Sequence, residues 1–173
     1  DGRVYLFGGH GGIGYQRTAF NDLWFFDIAS GGWNKLKYAN NPCEARGGHS
    51  IFIIGTKIYI YGGWNLETQF SDIAVYNIET GEWFDPDIYN DMPRWNFSAC
   101  MVEAIPSWKY FIFGGEQGDF PEGGPRRFGT FVNSSSVLDI DSMSWMNIKT
   151  EDDEEENGPF LPQEREYSSM IYD

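Results

Sequence analysis

Histidine and cysteine are scarce in this 173-residue chain, with two of each. Cys43 falls in an expected loop and Cys100 in an expected strand. They build no disulfide framework, and a reducing compartment is favoured. His10 and His49 are the only imidazoles, and no spacing gathers metal ligands around them, so neither a metal centre nor a cofactor is expected. Positive charge is also short. Twelve Lys and Arg stand against 26 Asp and Glu, a net charge of −14. That balance argues against nucleic acid and anionic membrane surfaces as partners and is compatible with a basic one. No segment approaches the roughly 20 apolar residues of a membrane helix. No G-x-S-x-G elbow, P-loop or H-E-x-x-H motif occurs, so those catalytic classes lack their local signatures.

What is abundant is aromatic and small. Phe, Trp and Tyr make up 18% of the residues, and there are 21 glycines. That mixture suits short strands joined by tight turns. A glycine pair recurs behind a bulky run: YLFGG at Gly8-Gly9, YIYGG at Gly62-Gly63 and FIFGG at Gly114-Gly115. The offsets are 54 and 52 residues, which marks a repeat architecture. A run apolar at every position predicts a strand covered on both faces. The glycines behind it allow φ > 0 and a close backbone approach.

Other positions keep phase. Asp27, Asn77 and Asp139 each precede a tryptophan by six residues: Trp33, Trp83 and Trp145. Arg46, Arg94 and Arg165 each precede a serine by four: Ser50, Ser98 and Ser169. On these residues the chain resembles the kelch repeat family across nearly its whole length. Arg46-Gly-Gly-His49-Ser50 keeps the family's histidine. Phe97 and Ser168 replace it in the other copies, and Ser134 replaces the aspartate seen at Asp22 and Asp72.

The resemblance implies an all-β fold, a β-propeller of four-stranded antiparallel blades, strands a to d running from centre to rim. A part blade over 1–40 opens on strand b at Arg3, with c at 22–28 and d near 33–36. A blade over 46–84 has a near 47–54, b at 57–61, c at 72–78 and d near 82–84. A blade over 94–148 has a near 96–103, b at 109–113, c near 132–140 and d near 144–148. Residues 165–173 are expected to start a further blade, with strand a at 166–172. Two whole and two part blades do not close a ring, so part of a longer propeller is expected. Trp33, Trp83 and Trp145 are expected to pack between blades. Arg46, Arg94 and Arg165 are expected to tie strand a to its neighbour through backbone or acid.

Antiparallel blades put b–c and d–a loops at one end. From glycine pair to Asp or Asn the spacing is 18, 14 and 24 residues, and from Trp to Arg it is 13, 11 and 20. From Asp or Asn to Trp it never changes. Length and variety therefore collect at the b–c and d–a end, where a rigid scaffold carries binding residues. The third b–c loop, Glu116 to Thr130, holds Arg126 and Arg127 between Phe120 and Phe128, the residue types of interaction hot spots. Tyr15, Arg17, Trp64 and Gln69 lie in the other two. The acidic run Glu151 to Glu156 reads as a solvated loop or as a strip for a basic partner.

The expected function is a non-enzymatic scaffold that recruits a protein partner, as one subunit or domain of a larger assembly. The setting is cytoplasmic, with a cytoskeletal or ciliary complex implied by family breadth. The resemblance leaves two alternatives: an oxidase or isomerase with a site in the central channel, and the substrate-recognition module of a ubiquitin ligase.

Overall fold

The computed structural model of the chain describes residues 2–13, 16–104, 106–118, 129–148 and 162–173. It divides into two compact units, Asp1–Tyr89 and Asn90–Asp173. Every regular element among the described residues is a β-strand.

In the first unit β1 (Arg3–Phe7), β4 (Leu23–Asp27) and β5 (Gly32–Lys35) form a three-stranded antiparallel sheet. The pair β2 (His10–Gly11) and β3 (Thr18–Ala19) forms a short ribbon beyond the first glycine pair. A four-stranded sheet follows, β6 (Ser50–Ile54), β7 (Lys57–Tyr61), β8 (Ile73–Asn77) and β9 (Glu82–Phe84), each strand beside its chain neighbour. In the second unit β10 (Ser98–Ala104), β11 (Ser107–Phe113), β14 (Ser135–Asp139) and β15 (Ser144–Ile148) repeat that order. The ribbon of β12 (Glu116–Gln117) and β13 (Thr130–Phe131) lies beyond the third glycine pair. These are propeller blades: four-stranded antiparallel meanders in both units and a three-stranded one at the start.

The repeated residues explain the repeated geometry. All six paired glycines have positive φ, between 60° and 94°, where an L side chain is strained. Several have no room for one either. A Cβ on Gly63 would lie 2.7 Å from the Gly47 carbonyl oxygen, and one on Gly115 would lie 2.7 Å from that of Trp95. The outer turn has its own device. The Asp27 side chain accepts from the Ser30 amide at 2.9 Å, Asn77 from Glu79 at 2.9 Å, and Asp139 from Asp141 and Ser142 at 3.0 Å. An acid or amide recurs six residues before each tryptophan because that side chain closes the turn between strands c and d.

The arginines are buried struts. Arg46 is 1% exposed and forks onto Asp72 at 2.7 and 3.0 Å. It donates to the Gly62 carbonyl at 3.2 Å, and its guanidinium lies 3.9 Å from the Phe70 ring centre. Arg94 is fully buried and donates to the Gly114 carbonyl at 3.1 Å. It also reaches the Ser134 carbonyl at 3.1 Å and hydroxyl at 3.2 Å. Arg165 differs: its side chain is exposed and bonds the Gln163 carbonyl at 2.9 Å.

Four expectations change. Covered on both faces holds for β7, whose Ile58, Tyr59, Ile60 and Tyr61 are all buried, but not for β1, where Val4 and Leu6 are exposed. Trp33 is 52% exposed, with Phe26 beside it at 5.3 Å, whereas Trp83 packs against Phe7 of the preceding sheet at 5.7 Å, Tyr38 and Tyr76. Trp83 thus reaches back onto the sheet before its own. Residues 166–172 form no strand, because no described strand pairs with them in a ladder. Strand a also starts later than expected, at Ser50 rather than Gly47. Gly48, with φ of 63°, turns the chain out of the extended form just before it.

Candidate protein-interaction face

In the first unit the long connections are stitched into one layer. The d–a segment between β5 and β6 runs alongside the first b–c loop. The Gly9 amide donates to the Arg46 carbonyl at 2.8 Å, and the Arg46 amide donates to the Phe20 carbonyl at 3.0 Å. Tyr38 and Asn41 both donate to the Asn21 carbonyl at 2.9 Å. Loops held by backbone bonds of this kind present side chains at low ordering cost. The second unit repeats the key bond: the Gly115 amide donates to the Arg165 carbonyl at 2.8 Å.

On this layer Trp64 bridges Gly47 on one side and Gln69 on the other. The His10 ring stands edge-on to the Trp64 ring, 5.3 Å between centres. A Cβ on Gly47 would lie 2.3 Å from His10 Nδ1, so any side chain there would displace the His10 ring. Burial lowers the His10 pKa, and the nearby Arg17 guanidinium lowers it further. Arg17 is exposed just before β3. The structure therefore brings Trp64 and Gln69 together and sets Arg17 on the neighbouring ribbon. Tyr15, Phe120, Arg126, Arg127, Phe128 and the acidic run 151–156 lie outside the described residues.

The model of the KLHDC2/KLHL20/DRC7 Kelch-repeats domain matches residues 1–172. The chain belongs to the kelch-repeat family. It is 30% identical over 100 residues to Kelch domain-containing protein 1 of Mus musculus, 57% of this chain and 25% of that protein. It is 28% identical over 153 residues to the flagellar outer arm dynein alpha chain of Chlamydomonas reinhardtii, 84% of this chain and 3% of that one. Over 132 residues it is 30% identical to Host cell factor 2 of Homo sapiens, 65% of this chain and 16% of that protein. The chain spans a quarter or less of the length of these relatives.

The kelch repeat also places residues beside Trp64 that the loop-length argument passed over. The position after each glycine pair holds His10, Trp64 and Glu116, and the position after each repeat arginine holds Gly47, Trp95 and Glu166. The two positions bridge each other: Gly47 with Trp64, and Trp95 with Glu116. They extend the inner strands past the glycines toward the b–c end. In the second unit Trp95 is 4% exposed, and Asn96 donates to Glu166 at 2.9 Å. Burial raises the Glu116 carboxyl pKa, and the neighbouring Glu166 raises it further against the opposing Gly129 amide and Trp95 indole. The signal for these positions was their fixed phase, one residue beyond the motif already read.

Cys43 does not suit chemistry. It lies in the core with Phe7, Leu23 and Ile58, and burial pushes its thiol pKa up to about 12. A thiol held protonated is a poor nucleophile. No group of three or more His, Cys, Asp or Glu with metal-site spacing occurs among the described residues.

Proposed function

We propose that this kelch segment is a non-enzymatic scaffold that docks a protein partner on its b–c and d–a end, within a larger assembly. The observation that carries the reading is the stitched layer of the first unit, where Gly9, Phe20, Asn21, Tyr38, Asn41 and Arg46 hold two long connections together by hydrogen bonds. Trp64, Gln69 and Arg17 stand on that layer and combine an aromatic surface with directed polar groups, a pairing typical of binding hot spots. The Arg126–Phe128 loop is proposed to complete the surface. The chain's acidity favours a partner with a basic surface.

Residues 1–173 are proposed to belong to a single propeller, with 165–173 opening a further blade. The Gly115-to-Arg165 bond supports this, since it repeats the link between Gly9 and Arg46. The similarity to a flagellar dynein chain supports a cytoskeletal or ciliary setting as part of the same proposal.

The test uses a photo-crosslinking side chain placed at Gln69 at the b–c end, and separately at Thr80 in the opposite turn. Adducts with a second protein are expected from position 69 and not from 80. Adducts only from 80 would place docking at the other end. Deleting the Arg126/Arg127 loop is expected to reduce capture of the same partner.

A further inference from the structure

We propose that His49 is an acid-sensitive wedge, and that its protonation loosens the link between the first two sheets. The position has a built-in control. His49 and Phe97 are the third residues after Arg46 and Arg94, and both are gripped in the same way. A Cβ on Gly63 would lie 2.8 Å from His49 Cβ, and one on Gly115 would lie 2.8 Å from Phe97 Cβ. The residue before each is left-handed, Gly48 at 63° and Asn96 at 55°. An apolar ring therefore fills the same slot in the second unit, and packing alone does not call for histidine.

The slot lies at the sheet junction. The His49 ring meets Phe7 of the first sheet edge-on, 5.4 Å between centres. Its Cε1 would lie 3.2 Å from a Cβ on Gly8. The backbone of Phe7 and Arg46 favours the protonated ring, but the other surroundings outweigh it. Arg46 and His10 both act against protonation, and Arg17 acts in turn on His10. The Asp72 carboxylate is engaged by Arg46. Burial is the largest cause, and it takes His49 from an ordinary value of 6.5 down to about 4.

The sign follows from linkage. The closed junction binds neutral imidazole, and the opened one lets it charge at its ordinary value. Closure is therefore fully favoured above about pH 6.5 and weakens as pH falls toward 4. The amides that report opening are Gly9 and Arg46, which bond across the two sheets to Arg46 and Phe20.

Hydrogen exchange of those two amides in the intact protein, corrected for intrinsic rates, tests the wedge. Between pH 7.5 and 5 their opening constant is expected to rise about 30-fold. In His49→Phe it should stay within about twofold. An equal rise in both proteins overturns the proposal. Should His49→Phe fail to fold, a proton titration of the wild-type imidazole decides. His49 titrating well below its ordinary value, with the two amides shifting at the same midpoint, supports the wedge. Titration near 6.5 with no amide response refutes it.

Discussion

The second and third repeats use one backbone plan with different side-chain chemistry. In the second, Arg46 is held by the carboxylate of Asp72 and lies over Phe70. In the third, Arg94 reaches the carbonyl and hydroxyl of Ser134, the position that Asp72 occupies one repeat earlier. Both guanidinium groups still donate to the first glycine's carbonyl, at 3.2 Å in one and 3.1 Å in the other. The shared contact is to backbone, which every repeat supplies. The acid is one of two ways to complete it.

The largest effects are expected from breaking the second repeat's version. Arg46→Met leaves the partly buried Asp72 without its partner and should cost about 3–5 kcal/mol in a denaturant titration. Asp72→Ser gives the second repeat the third repeat's hydroxyl, leaves the Gly62 contact in place and should cost less, about 1–3 kcal/mol. The double variant should lose less than the sum, because the two groups act on each other.

Next come the tryptophans. Trp83→Ala removes a ring buried among Phe7, Tyr38 and Tyr76 and should cost about 3–5 kcal/mol. Trp33→Ala, at the half-exposed equivalent, should cost under about 1 kcal/mol. Equal losses would mean that the two sites are packed alike.

The smallest effect is a gain. In the outer turn Gly31 and Gly81 have φ of 70° and 72°, and the third repeat has Met143 there at 50°. Met143→Gly should stabilise by about 1 kcal/mol by relieving left-handed strain, measured by thermal unfolding.

Much of this was legible before any coordinates. The spacing of glycine pair, Asp or Asn, tryptophan and arginine is a local property of the chain, and strands over 57–61, 82–84 and 144–148 have the bounds it implied. Burial was less legible, because it depends on what lies opposite. Val4 and Ile58 belong to equally apolar runs, yet one is exposed and the other buried. At the b–c end, loop length pointed to Trp64 and Gln69, which the fold brings together. The roles of His10 and Gly47 arise from contact between sheets, a relation that no residue's own neighbours in sequence disclose.

At Gly8, Gly63, Gly114 and Gly115 the neighbouring backbone comes too close for any side chain, and the packing of the inner strands rests on that approach. The unfolding free energy of Gly63→Ala tests it most directly. Left-handed strain at φ of 92° and contacts of 2.7 Å with Gly47 and 2.8 Å with His49 lead us to expect a loss above about 3 kcal/mol, or no folded product. A loss below about 0.5 kcal/mol would contradict the account.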